Sequence, residues 1–65
     1  MTVRLHPTAL VDPGATLGER VEVGPFAIIG PDVVVGDGCR IGPRATLERY
    51  VRLAAGVSVG EGSLL

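Results

Sequence analysis

Every sixth residue of this chain, without exception, is a branched apolar side chain: Leu5, Val11, Leu17, Val23, Ile29, Val35, Ile41, Leu47, Leu53, Val59 and Leu65. Calling this position 1 of a hexad, position 5 holds a smaller residue each time: Ala9, Ala15, Val21, Ala27, Val33, Cys39, Ala45, Val51, Val57 and Ser63. Nothing larger than valine occupies it. Small, variable, large is the in-out-in alternation of a very short strand, as in Val21-Glu22-Val23 or Cys39-Arg40-Ile41, with the middle residue facing outward.

Positions 2 to 4 then have to turn the chain, and the distribution of glycine and proline tests this, because either would weaken a strand interior. Gly18, Gly24, Gly30, Gly36, Gly42 and Gly60 stand at position 2, all five prolines (Pro7, Pro13, Pro25, Pro31, Pro43) at position 3, and Gly14, Gly38, Gly56 and Gly62 at position 4. None falls in a strand triplet. Glycine permits positive φ or close backbone approach, and proline fixes φ while needing no ladder partner. A helix is excluded by the period, and three-residue strands are too short for an antiparallel meander. If three hexads close a triangular coil of eighteen residues, each strand stacks in parallel on the one eighteen residues later, about 4.8 Å away. The expected fold is all-β, a parallel β-helix of a little over three triangular coils. Residues 1–4 form a lead-in and 5–65 the β-helix, a partial domain with an open C-terminal end.

Eighteen-residue stacking sorts the outward residues into three columns. One reads Leu10, Ile28, Thr46, Leu64, the second Thr16, Val34, Arg52, and the third Glu22, Arg40, Ser58. Only the first is mostly apolar, and Phe26 lies at the corner beside it. An ordered apolar stripe of this kind marks an interface, so Leu10, Phe26, Ile28 and Leu64 are the candidate subunit contacts. Glu22 and Arg40 are expected as vertical neighbours of opposite charge, an exposed pair contributing about 0.2 to 1 kcal/mol.

At 65 residues the chain is at most one small domain, and one cysteine, Cys39, excludes an internal disulfide. A formal net charge of -1, with six arginines and no lysine, gives no footprint for nucleic acid or an anionic membrane. The opening Met1-Thr2-Val3-Arg4-Leu5-His6-Pro7 lacks the apolar run of a signal peptide, and glycine or proline interrupts every apolar stretch before spanning length. A cytoplasmic protein with no membrane insertion is expected.

Candidate chemistry is sparse. His6 is the only histidine and has no evident partner to orient it as a base, so a structural role is expected. Cys39 falls in an inward slot and reads as a small core residue. Asp12, Glu19, Asp32, Asp37, Glu48 and Glu61 lie at corners as solvated carboxylates, with no spacing that stacking would force into a dyad. Arg40, Arg44, Arg49 and Arg52 are close in sequence but belong to different faces and corners, which argues against a phosphate cluster. Tyr50, at a corner, is placed to pack across coils or against a partner. No catalytic, cofactor-binding or metal residue is expected within the chain, and no cofactor.

The order of residues adds a resemblance. The runs His6-Pro7-Thr8-Ala9-Leu10-Val11, Gly14-Ala15-Thr16-Leu17-Gly18, Val23-Gly24-Pro25-Phe26-Ala27-Ile28-Ile29-Gly30-Pro31 and Val35-Gly36-Asp37-Gly38 resemble the start of the acyl-ACP:UDP-N-acetylglucosamine O-acyltransferases. That resemblance implies a left-handed coil, a hand the general preference for right-handed crossovers would not supply. It also implies a homotrimer with sites between subunits, in which a histidine base helps move a hydroxyacyl group from acyl carrier protein to the sugar 3-hydroxyl at the outset of lipid A synthesis. The family's catalytic histidine, its UDP-sugar contacts and its helical C-terminal region lie beyond the stretch matched, so no site residue carries over. Related hexapeptide acyl- and acetyltransferases, including those that N-acylate the next intermediate, share the rhythm.

Because the last hexad ends on inward Leu65 without its corner, the chain reads as a fragment or truncated product. In a stacked-repeat fold each coil contacts only its neighbours, so these few coils alone are expected to be unfolded, marginally folded or aggregated. The alternative to an enzyme's N-terminal part is a non-enzymatic scaffold or assembly module.

Overall fold

In a computed structural model, which describes residues 3–65, the strands fall on the in-out-in triplets, covering the whole triplet in two cases and its outward and second inward residues in the others, and positions 2 to 4 are corners. The strands in chain order are β1 (Val3–Leu5), β2 (Leu10–Val11), β3 (Thr16–Leu17), β4 (Val21–Val23), β5 (Ile28–Ile29), β6 (Val34–Val35), β7 (Arg40–Ile41), β8 (Thr46–Leu47), β9 (Arg52–Leu53) and β10 (Ser58–Val59). They form three parallel sheets: sheet A is β1-β4-β7-β10, sheet B is β2-β5-β8, and sheet C is β3-β6-β9. An isolated parallel bridge between Thr46 and Leu64 extends sheet B.

The register is the eighteen-residue one throughout: Leu10 pairs with Ile28 and Ile28 with Thr46, Thr16 with Val34 and Val34 with Arg52, Glu22 with Arg40 and Arg40 with Ser58. All three outward columns are therefore formed. Strand β1 starts two residues before Leu5, because Val3 fills the small inward slot and pairs with Val21, which sets Arg4 below Glu22. Met1 and Thr2 of the lead-in lie outside the described residues.

Both inward positions of the central coils are sealed. Val21, Ala27, Val33, Cys39, Ala45 and Leu47 are fully buried, and Val23, Ile29, Val35, Ile41 and Val59 nearly so. The position-1 side chains fill the prism, and the smaller position-5 ones fit where the walls converge near the corners. Burial is incomplete in the first coil, where Val11 and Leu17 are half-buried and Leu5 is exposed. Cys39 is a free, buried core residue as expected, and its thiol donates a hydrogen bond of 3.0 Å to the Ala54 carbonyl.

Position 4 of most corners adopts positive φ, at Gly38, Gly56 and Gly62 but also at Arg20, Phe26, Asp32, Arg44 and Tyr50. The reason is vertical. With φ positive, the position-4 N–H is aimed at the coil below: Arg44 donates to the Pro25 carbonyl at 2.8 Å, Tyr50 to Pro31 at 3.3 Å and Gly56 to Asp37 at 2.8 Å. The ladder thus continues through the corners, which offsets the cost of about 1–2 kcal/mol for an L-residue in that conformation. The first two corners differ. Neither Thr8 nor Gly14 has positive φ, and the turns close with tight bonds from Ala9 N–H to the His6 carbonyl and from Ala15 N–H to the Asp12 carbonyl, both 2.9 Å. In each, the position-2 side chain caps the turn, Asp12 Oδ1 accepting from Gly14 N–H at 2.8 Å and His6 Nδ1 from Thr8 N–H at 3.2 Å.

One expectation is corrected. Glu22 and Arg40 are register neighbours, but they are not in ion-pair contact; among the described residues the only ion pair is Arg44–Glu61, at 2.9 Å. Arg44 and Glu61 are equally solvent-exposed, so exposure does not separate the two cases; an exposed pair gains little, and register proximity alone does not bring the Glu22 and Arg40 charges together.

Candidate functional site

The groups capable of chemistry are dispersed around the prism. His6 is exposed, and its Nδ1 lies 2.8 Å from Thr8 Oγ1, which itself accepts a 3.0 Å hydrogen bond from Phe26 N–H. The donor in the contact between His6 Nδ1 and Thr8 Oγ1 is set by the imidazole tautomer, and in either tautomer the Thr8 oxygen still accepts from the coil above. The imidazole is therefore a link in a structural relay that ties the first corner to the second, and no carboxylate orients it. Asp37 performs a similar vertical task, its Oδ1 accepting from Glu19 N–H at 2.9 Å. Among the described residues no three His, Cys, Asp or Glu side chains converge to hold a metal ion, and no helix is long and apolar enough to cross a membrane. Arg40 lies on sheet A, Arg44 at the corner between A and B, Arg49 at the corner between B and C, and Arg52 on sheet C, so the four do not form a cluster. A depression of about 480 Å³ runs over sheet A along Arg4, Glu22, Arg40 and Ser58, where alternating charges face open solvent.

What the fold does assemble is an apolar face. On sheet B the outward column Leu10, Ile28, Thr46, Leu64 carries no charge, and Leu10 and Leu64 leave about two thirds of their surface in water, at 66% and 68%. Sheets A and C present Arg4, Glu22 and Arg40 or Thr16 and Arg52 at the same positions. Phe26 stands at the corner that leads into sheet B and is 62% exposed. These are the four residues that the sequence singles out for an interface, and the structure brings all of them to one side of the prism.

The same side has a second edge that the column pattern passes over. Tyr50, at the corner leaving sheet B, is 70% exposed. The chain's only two aromatic residues thus flank sheet B on opposite edges, both at position 4 and both with positive φ, 59° and 64°. The third corner, between C and A, has Arg20, Gly38 and Gly56 there. A signal was present in the sequence: Pro25-Phe26, like Pro31-Asp32 and Pro43-Arg44, is the proline-then-positive-φ pattern of a type II turn. Pro7-Thr8 and Pro13-Gly14 share the proline without the positive φ, so the dipeptide alone does not decide.

Comparison with known families gives one match, a bacterial transferase hexapeptide model of six repeats that aligns with residues 14–49. No curated protein matches the chain. The matched hexads run from the second corner of the first coil to the second corner of the third, the best-buried part of the prism.

Proposed function

The chain belongs to the bacterial transferase hexapeptide family, and on that premise we propose that it is the N-terminal scaffold of an O-acyltransferase. The enzyme would move a hydroxyacyl group from acyl carrier protein to UDP-N-acetylglucosamine at the start of lipid A synthesis. The fold is the left-handed parallel β-helix of that family, a transferase-type scaffold. The observation that supports the finer reading is the pairing of two sequence runs. His6-Pro7-Thr8 and Gly24-Pro25-Phe26, which carry much of the likeness to those acyltransferases, occupy the same corner of successive coils and are joined by the bond from Phe26 N–H to Thr8 Oγ1.

On this reading the chain supplies subunit contacts, and coils that continue it supply the chemistry and meet acyl carrier protein and the UDP-sugar. The 65-residue polypeptide should therefore show no transfer from hydroxyacyl-acyl carrier protein to UDP-N-acetylglucosamine in a mass-spectrometric assay, while the polypeptide extended by the coding sequence that follows it does transfer. Turnover by the short chain, abolished by substituting one of its own residues, overturns the scaffold assignment. An extended protein that assembles but transfers nothing to the sugar supports a non-enzymatic assembly module instead.

The protein is also proposed to be a cytoplasmic homotrimer with Leu10, Phe26, Ile28 and Leu64 in the interface. Ile28 is 45% exposed in the single chain, so Ile28→Glu can keep its charge hydrated in a monomer but must bury it unpaired in the trimer. Light scattering should show Ile28→Glu as a folded monomer; an unchanged trimer mass rejects this interface.

A further inference from the structure

The corner between sheets C and A holds a peptide group that is fixed from below and from above. Gly38 N–H donates to the Glu19 carbonyl of the first coil at 2.8 Å, and the Asp37 carbonyl accepts from Gly56 N–H of the third coil, also at 2.8 Å. The Asp37 side chain is held too, its Oδ1 accepting from Glu19 N–H at 2.9 Å and lying over Gly18, which has no side chain to displace it. Asp37 and Gly38 are both exposed.

This is the one Asp-Gly step in the chain. Asp12 is followed by Pro13 and Asp32 by Val33, and there is no asparagine. An aspartyl carboxyl can be attacked by the backbone nitrogen of the residue that follows. Proline's nitrogen has no hydrogen to lose and the branched side chain of valine crowds its nitrogen, whereas glycine leaves the approach open. At Gly38 nothing lies within 4 Å of the place a Cβ would take.

For this attack the Gly38 nitrogen must turn toward Asp37 Cγ, and the closed corner opposes the turn. Rotating the peptide group breaks its bonds to Glu19 and Gly56, and moving the carboxyl breaks its bond to Glu19 N–H. Both links to Glu19 are made to the first coil, the least buried one, where Val11 and Leu17 are half-buried and Leu5 is exposed. Segments with few buried apolar contacts and exposed backbone bonds are the ones that open locally. When the first coil lifts, the carboxyl and the Gly38 N–H are released together, and only the exposed bond to Gly56 restrains the peptide.

We propose that Asp37 is a spontaneous modification site, which becomes isoaspartate when the first coil opens and so prevents that coil from closing again. The Gly38 nitrogen forms a bond to Asp37 Cγ, the bond from Cγ to one carboxyl oxygen breaks, and that oxygen leaves as water with the amide hydrogen and the carboxyl proton. The five-membered imide then takes up one water. Opening at Cγ restores aspartate. Opening at the α-carbonyl leaves Cγ on the Gly38 nitrogen and frees the α-carboxylate, so that the main chain runs through Cβ and is one carbon longer. Nothing is oxidised or reduced. The carboxyl that accepted from Glu19 N–H is now part of the main chain, and the added carbon moves Gly38 N–H off the Glu19 carbonyl, so both links from this corner to the first coil are lost. The step is independent of the reaction proposed above and sets a one-way limit on the lifetime of the folded first coil.

The test is peptide mapping of the protein as expressed from its own gene, aged at neutral pH in buffer and in urea. Trypsin releases residues 21–40, which carry both Asp32 and Asp37, and electron-transfer fragmentation tells isoaspartate from aspartate at each. Isoaspartate should accumulate at 37 and not at 12 or 32, about tenfold or more faster in urea than in buffer, because only the open state reacts. Equal rates in the two solvents overturn the clamp, and its absence at 37 in urea overturns the site. Gly38→Ala crowds the nitrogen and should slow the reaction in urea, where the folded corner plays no part; an unchanged rate overturns the cyclisation. Hydrogen exchange on the aged protein reads the consequence. Molecules with isoaspartate should lose amide protection over residues 5–22 and keep it over 41–59, and unchanged protection over 5–22 overturns the claim that the coil stays open.

Discussion

Gly36→Ala should cost more stability than any other glycine-to-alanine change in the chain, about 2–3 kcal/mol. A methyl group on Gly36 would lie 2.7 Å from the Ala55 nitrogen, 2.8 Å from the Ala54 carbonyl carbon and 2.9 Å from the Leu53 oxygen. These are backbone atoms of the next coil, so no side chain can swing aside. The coils must separate locally, and that strains the bonds from Gly36 N–H to the Leu53 carbonyl (2.9 Å) and from Gly56 N–H to the Asp37 carbonyl (2.8 Å). Overpacking of this kind costs about 1–3 kcal/mol, and each strained bond adds to it.

Two other glycines separate the causes. Gly38 has φ +72° with nothing within 4 Å of an added methyl, so Gly38→Ala pays only backbone strain, about 1–2 kcal/mol. Gly60 has ordinary φ and its nearest neighbour is Ser63 Oγ at 3.6 Å, so Gly60→Ala should be neutral or stabilising by about 0.4–1 kcal/mol through the unfolded chain. Urea midpoints of the three variants, with unchanged m-values, decide the matter. Equal effects for Gly36 and Gly60 would mean that the coils are not stacked this closely.

Leu47→Ala is the second large effect, about 2–5 kcal/mol. Leu47 is fully buried in the third coil, where its side chain fills the prism between the three walls. Its strand is stacked on Ile29, and the Gly30 N–H is bonded to the Leu47 carbonyl at 2.8 Å, which holds the backbone in place and hinders collapse into the void. A domain of this length has only about 3–10 kcal/mol in all, so the variant should lose most of its cooperative unfolding transition by circular dichroism. Leu10→Ala is the control. Leu10 belongs to the same sheet but faces outward, and its replacement should leave the stability of a single chain within about 0.5 kcal/mol. If both leucines cost the same, the in-out assignment of sheet B fails.

The coil is legible in the amino-acid sequence because its determinants are local and repeat without exception. An inward residue such as Ile29 and its small companion Ala27 carry the period by themselves, and once eighteen residues close a coil the columns Leu10-Ile28-Thr46 and Thr16-Val34-Arg52 follow by counting. The presence of Phe26 beside the apolar face is legible for the same reason. The division of labour among the glycines is not. Gly36 and Gly38 differ in the sequence only by hexad position, 2 against 4, and the stacked coils alone show that one lies under the backbone of the next coil while the other turns its corner at positive φ.

By itself, then, the sequence determined the repeat, the in-out alternation, the parallel register and the apolar column, because each depends only on spacing along the chain. Tertiary structure decided what depends on how one coil lies over another. It put Arg44 on Glu61 rather than Arg40 on Glu22, because an exposed ion pair is closed by side-chain reach and corner geometry. It made His6 and Thr8 a relay to Phe26, because the second corner's N–H falls over the first corner's hydroxyl. It also forced Phe26 and Tyr50 into positive φ on opposite edges of sheet B, because the corner must aim its N–H at the coil below whatever side chain it bears.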